Sequence, residues 1–316
     1  MEYSNLISLS KAIDVPTNLS ISKVKIIDLG AGVYNTNLSY QSLIDLNLAH
    51  VIGFEPNPDE LQKMLANKPE NFDYLPYAVG DGKDATFNLT VLPQCSSLYE
   101  PNRELLDLFS GLRPRPGRPG AFGVVKRLPV QTRRLDDIPN CAHSDYIKMD
   151  MQGAELDILK GAIETLKTTL IIEVEVEFIP LYQNQPLFGD LQCFLREQNF
   201  MFHKLLNIQG RPIAPMTYDK RGLKTYSQAL WADAIFIRES LLRNPTPLTG
   251  EQLLKSALIL NDVYHSYDLV YHLLSYYDSR FGTQTASDYA NAVKKVPTLK
   301  RSYMNLIDEL RDLEAG

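Results

Sequence analysis

Between Val24 and Pro56 the chain reads VKIIDLGAGVYNTNLSYQSLIDLNLAHVIGFEP, an order that few folds can accept. An apolar run rich in β-branched residues, Val24 to Leu29, meets Gly30-Ala31-Gly32, and a second short run, Val51 to Phe54, stops at Glu55. The pattern is strand, glycine turn, helix, strand, acid. Glycines at the carboxyl end of a first parallel strand let the backbone come close to a ligand, and an acid ending the second strand can accept hydrogen bonds from both hydroxyls of a ribose. A dinucleotide would require a third glycine and a helix amino end facing its pyrophosphate. Here Asn35 fills that position, and no Lys or Arg follows to hold a phosphate. The ligand this stretch suits is a nucleoside without phosphates, and S-adenosylmethionine is the expected cofactor. The alternative is a tight turn whose glycines serve packing alone.

Length and charge narrow the class. Single cores stop growing near about 250–300 residues, so a chain of 316 residues is expected to hold one large α/β core plus an extra element. A net charge of −6 argues against a general nucleic-acid binder, because phosphate neutralisation takes clustered Lys and Arg. Cys95, Cys141 and Cys193 are far apart and form no C-x-x-C, which fits neither a disulfide framework nor a zinc site and agrees with a reducing cytoplasm. No run approaches the roughly 18 apolar residues of a membrane span, and residues 1–14 show no basic stretch followed by a long apolar segment. A cytoplasmic protein without a membrane span is expected.

Along the chain, strands and helices alternate. A first crossover helix is expected over 37–46, capped by Thr36 or Asn37, and a second after Pro58, with Leu61, Met64 and Leu65 as its buried stripe. Further strands are expected at 72–79, 85–92, 145–150, 170–176, 200–208 and 231–238, with helices at 154–167 and 191–198. Between Pro101 and Pro129 no periodic pattern is legible, and Arg113 to Gly120 is a basic loop rich in Pro and Gly. Glu173 and Glu175 interrupt an otherwise apolar strand, which is costly unless they work or face water. The alternation implies a parallel, doubly wound sheet with an antiparallel final hairpin. From Thr249 the spacing turns helical throughout, with another helix expected over 299–313.

Several ordered phrases carry a resemblance. Asp28-Leu29-Gly30-Ala31-Gly32, Gly53-Phe54-Glu55-Pro56-Asn57, Ala78-Val79-Gly80-Asp81, VQTRRLDDI from Val130, YIKMDMQGAELDILKGA from Tyr146 and WADAIFIR from Trp231 together resemble the FkbM family of S-adenosylmethionine-dependent methyltransferases. The resemblance implies a class I methyltransferase fold: a Rossmann-like, doubly wound seven-stranded sheet with an antiparallel last strand. It also implies O-methylation of a sugar, glycan or polyketide-like secondary-metabolite hydroxyl. The expected organisation is an N-terminal segment at 1–22, the methyltransferase domain at 23–240 and a C-terminal helical extension at 249–316. One departure stands out: the family's usual phrase after the fourth strand is Asp-Val-Glu-Gly, and Gln152 occupies the place of that Glu.

On this reading Glu55 binds the ribose, with Pro56 and Asn57 beside it. Asp28, Gly30, Ala31 and Gly32 surround the methionine part of the cofactor, and Ala78 and Val79 flank the adenine. Asp150 ends the fourth strand at the topological switch, where open α/β sheets place ligands, and is the candidate base as well as a cofactor neighbour. Glu173 is expected at the end of the adjacent strand as a second carboxylate; the pair could hold Mg²⁺, or one could accept a proton. His203 is a further candidate base with a competing structural role, and Ser96 and Ser97 could touch cofactor or acceptor. The basic loop from Arg113 to Arg127 could be a solvated lid or recognise an acidic acceptor; a third reading, RNA binding, is disfavoured by the overall acidity and the lack of interleaved aromatic residues. The C-terminal helices could pair two copies. Two other classes stay open: an oxidoreductase, disfavoured by the missing glycine and the absent Tyr-x-x-x-Lys, and a degenerate scaffold of the same fold.

Overall fold

The computed structural model describes residues 21–30, 38–114, 119–217 and 228–294. Its strands are β1 (Val24–Leu29), β2 (Ala49–Phe54), β3 (Phe72–Leu75), β4 (Ala78–Val79), β5 (Asp84–Thr90), β6 (Val124–Arg133), β7 (Tyr146–Met149), β8 (Ile171–Glu177), β9 (Phe200–Gly210) and β10 (Ala229–Arg238). The helices are α1 (Gln41–Asp45), α2 (Pro58–Ala66), α3 (Arg103–Leu106), α4 (Glu155–Lys160), α5 (Ile163–Leu166), α6 (Phe188–Glu197), α7 (Gly250–Asp262), α8 (Tyr267–Phe281) and α9 (Thr285–Val293).

Seven strands form one sheet in the order β3-β2-β1-β7-β8-β10-β9. The pairs β2·β3, β1·β7 and β7·β8 are parallel, whereas β10 runs antiparallel to β8 and β9. Val24 N donates to Leu48 O at 2.8 Å, so β1 and β2 start side by side and finish on one rim. This is the doubly wound seven-stranded sheet with an antiparallel last strand that the sequence led us to expect. Its topological switch lies between β1 and β7, where successive crossovers leave in opposite directions.

Alternation along β8 splits its side chains by face. Ile172, Val174 and Val176 enter an apolar core with Ile27, Leu29, Ile147 and Met149, which leaves Glu173, Glu175 and Glu177 together on the other face.

Three expected elements differ. The strand expected at 72–79 stops at Leu75, because Pro76 has no N–H to continue the ladder. Ala78 and Val79 instead pair with Thr132 and Arg133 in a second, three-stranded sheet ordered β4-β6-β5. Strand β6 fills part of the region where no pattern was legible. It includes Pro129, opposite Thr86, and β4 covers only its far end, so the missing N–H falls where β6 has no second neighbour. Finally, the helix expected over 154–167 breaks at Gly161, where a Cβ would lie 3.1 Å from Gly80 O and 3.2 Å from Arg134 Cγ. The break lets Asp136 cap α5 by accepting from Glu164 N at 3.0 Å and Thr165 N at 2.9 Å.

The chain divides into two compact units. One contains residues 25–30 and 50–238 of the described chain and carries both sheets. The other takes residues 21–24, 38–49 and 239–294, so the segment holding α1 groups with the C-terminal helices. Within that second unit Thr249 and Gln252 form a capping box at α7, with Gln252 N to Thr249 Oγ1 at 3.1 Å and Thr249 N to Gln252 Oε1 at 2.9 Å. Tyr289 donates to Asn261 at 2.8 Å and ties α9 to α7, while Ser42 donates to Asp262 O at 3.0 Å and ties α1 to it. No helix among the described residues is long and apolar enough to cross a membrane. The helix expected at 299–313 lies outside the described residues.

Candidate functional site

The parallel strands β1, β2, β7 and β8 end on the same rim, and polar residues concentrate there. Gly30 closes β1 with a φ of +135°, a conformation that side chains rarely adopt, and a Cβ on it would lie 3.2 Å from Asp150 O and 3.3 Å from Asp150 Cβ. Asp150 N donates to Leu29 O at 2.8 Å, extending the β1·β7 ladder past its last pair. The glycine and the acid are therefore fixed against each other by backbone. Ala31 and Gly32 lie outside the described residues.

Glu55 follows β2 on this rim, anchored by its N–H to Leu75 O at 3.0 Å. Its side chain is half-buried, and Oε1 accepts from Asn57 N at 2.8 Å. Burial pushes its pKa above the ordinary carboxylate value, the Asn57 N–H pulls it back, and Glu60 adds a smaller upward push. Asn57 caps α2 by accepting from Asp59 N at 3.0 Å, with Pro58 in the first turn. The phrase Glu-Pro-Asn thus sets the entry to α2 and the pose of the Glu55 carboxylate together.

Beyond β7 the chain turns through Met151, Gln152 and Gly153. Buried Glu155 holds this turn from the start of α4, accepting from Met151 N at 2.7 Å and Gly153 N at 2.9 Å. Burial raises the Glu155 pKa to about 7, against the pull of backbone N–H groups of Glu155 and Met151. Gln152, at a φ of +54°, sends its amide between two acids: Nε2 donates to Asp150 Oδ1 at 2.8 Å and to Glu175 Oε2. Its Oε1 lies 3.0 Å from the hydroxyl of buried Tyr182, whose single proton is shared with Cys95 O at 3.0 Å. Ser97 donates to the backbone carbonyl of Gln152 at 2.6 Å, and Ser96 accepts from Thr90 N at 3.1 Å. The Ser-Ser phrase therefore braces the turn from the side.

One level deeper, Asp28, Lys148 and Glu173 stand in register across β1, β7 and β8. All three are buried, and Tyr146 donates to Glu173 at 2.9 Å. Burial alone would discharge Lys148, yet the charges of Asp28, Asp150, Glu173 and Asp233 hold its pKa above the usual lysine value. Glu173 is thus within the strand, not at its end. The acid level with Asp150 is Glu175, which is partly exposed. Burial and the charges of Asp150, Glu177 and Glu155 push its pKa well up.

The remaining sequence candidates sit elsewhere. Ala78 and Val79 belong to β4, beside which Arg133 stacks on the Tyr77 ring at 4.2 Å. His203 lies on β9, the edge strand, between residues that pair with Ile235 and Phe236 and two strands away from β8. Residues 115–118 of the basic loop are outside the described residues; Arg127 pairs with Glu100 at 2.7 Å. Among the described residues no group of three or more His, Cys, Asp or Glu side chains is arranged to hold a metal ion. The sequence reading missed Gln152, Glu155 and Lys148 as parts of the site. Spacing alone marks Gln152 and Glu155, two and five residues past the acid, but not the partners they meet.

Comparison with known proteins places this rim in context. Residues 28–202, more than half of the chain, match the model of the methyltransferase FkbM domain. A stretch of 61 residues is 44% identical to the 2-O-methyltransferase NoeI of Sinorhizobium fredii, covering 18% of this chain and 24% of that protein. Among solved structures, methyltransferase FkbM from Methylobacillus flagellatus aligns over 74% of this chain and 48% of its own, at 15% identity and a TM-score of 0.36. A putative methyltransferase from Thermoplasma acidophilum aligns over 69% of this chain and 70% of its own, at 9% identity and a TM-score of 0.34. The match thus spans about a quarter of the curated relative and about half of the FkbM structure.

Proposed function

The chain belongs to the FkbM methyltransferase family, and from that premise we propose that it is an S-adenosylmethionine-dependent O-methyltransferase acting on a hydroxyl of a glycan, sugar or secondary metabolite. The observation that carries this reading is the placement of Gly30, Glu55 and Asp150 on one rim at the topological switch, with a glycine where a side chain would collide with Asp150. The stretch of identity with a 2-O-methyltransferase supports oxygen as the accepting atom.

The residues present fit the cofactor. Half-buried Glu55 would accept from the ribose hydroxyls, a charge-assisted contact of about 1.5–3 kcal/mol. Asp28 and Gly30 would lie by the methionine part. When bound, the cofactor supplies a methyl group already activated by its sulfonium. The protein's tasks are then to align the acceptor and take its proton. Alignment alone can contribute about 7–11 kcal/mol. Asp150, exposed at the rim, accepts the hydroxyl proton. Glu175, beside it, takes the place expected of Glu173. His203 and Mg²⁺ have no step in this reading.

The test is transfer of a labelled methyl group to a panel of hydroxylated glycans and metabolites by the wild type and by Asp150→Asn. We expect one acceptor class to be labelled by the wild type, and the variant to lose turnover while it still binds S-adenosylhomocysteine. Equal turnover in the variant would remove Asp150 from the mechanism.

A further inference from the structure

We propose that Gln152 is the positioning residue of this site: its side-chain amide holds Asp150 and Glu175 together through two N–H donors. The inference rests on the reading above for the role of Asp150, but the clamp itself is built from contacts. The amide nitrogen has two hydrogens and two acceptors, Asp150 Oδ1 at 2.8 Å and Glu175 Oε2. Its orientation follows from chemistry, because turning it over would set Oε1 against two carboxylates and take it from the Tyr182 hydroxyl 3.0 Å away.

The backbone that carries the amide is held in place. The backbone carbonyl of Gln152 is held by Ser97 at 2.6 Å, and the N–H groups of Met151 and Gly153 are both taken by Glu155. Gln152 itself sits at a left-handed φ of +54°. Around the pair stand Lys148 from β7, Glu177 from β8, Glu155 from α4, Asp233 from β10 and the Tyr182 hydroxyl, so carboxyl groups outnumber the one basic group. A neutral double donor is the group that can bridge two acids in such a setting without titrating. It keeps the Asp150 carboxyl pointed at the rim.

Two substitutions in the full chain test this: Gln152→Glu, which adds a third carboxyl, and Gln152→Met, which keeps length without donors. Urea unfolding is followed from pH 5 to 9, with and without Mn²⁺. For Gln152→Glu the added group must bind a proton to stay folded, so its stability relative to the wild type falls as pH rises. The unfolding constant grows by up to about tenfold per pH unit, and Mn²⁺ restores the loss. Gln152→Met loses stability in the same direction with a smaller slope. A pH-independent difference in both variants, as for a side chain that merely fills space, overturns the proposal, as does absence of a Mn²⁺ effect on Gln152→Glu. Calorimetry with S-adenosylhomocysteine on the wild type separates the two readings. No binding together with the pH signature removes the methyltransferase reading and leaves the clamp, whereas binding with a flat pH difference removes the clamp alone.

Discussion

Replacing Glu155 by alanine should cost more stability at pH 5 than at pH 8. The side chain is 2% exposed, and its oxygens accept from Met151 N at 2.7 Å and Gly153 N at 2.9 Å. Removing it strands two buried donors at about 1–3 kcal/mol each, roughly 2–6 kcal/mol together. Opposing this loss is the cost of burying the charge, which lifts the Glu155 pKa from 4.5 to about 7. A folded-state pKa above the unfolded one makes a contribution that is fully present below the unfolded value and is lost as pH climbs through the folded value. Each unit corresponds to about 1.36 kcal/mol. Between pH 5 and pH 7 the wild type therefore gives up roughly 2–3 kcal/mol that the alanine variant never had. Urea unfolding of both proteins at pH 5 and pH 8 should show a variant penalty larger at pH 5 by that amount. A penalty that is equal at both, or larger at pH 8, would refute the assignment of Glu155 as a buried acid that secures the turn carrying Asp150.

Gly30→Ala should lower the melting temperature and weaken S-adenosylhomocysteine binding together. The φ of +135° costs a side chain about 1–3 kcal/mol, and the new methyl meets Asp150 at 3.2–3.3 Å; unchanged melting and affinity would show that the turn has room. Because burial raises the pKa of Glu55, affinity for the same ligand should begin to fall on acidification at a higher pH than an ordinary glutamate would give, and a Glu55→Gln variant should show a flatter titration.

The central architecture was legible because its signals are local. The run Val24 to Leu29, the glycine turn and the acid at Glu55 report strand ends directly, and the order of strands and helices then admits few topologies. What escaped depends on register. Glu173 and Glu175 both alternate onto one face of β8, and only pairing with Lys148 and Asp233 reveals which of them is level with Asp150. Strand β6 was hidden because most of it is exposed and a proline stands within it, so neither apolar alternation nor an uninterrupted run marks it. Gln152 read as a departure from a motif; its contacts with Glu175 and Tyr182 come from separate parts of the chain and carry no signature in local sequence.

Titration calorimetry of S-adenosylhomocysteine against the wild type and Glu55→Ala tests most directly whether this rim grips the adenosyl part of the cofactor. The wild type should bind, and loss of one charge-assisted contact of about 1.5–3 kcal/mol should weaken the variant roughly 10- to 150-fold. A wild type that gives no heat of binding, or a variant that binds as tightly as the wild type, would contradict it.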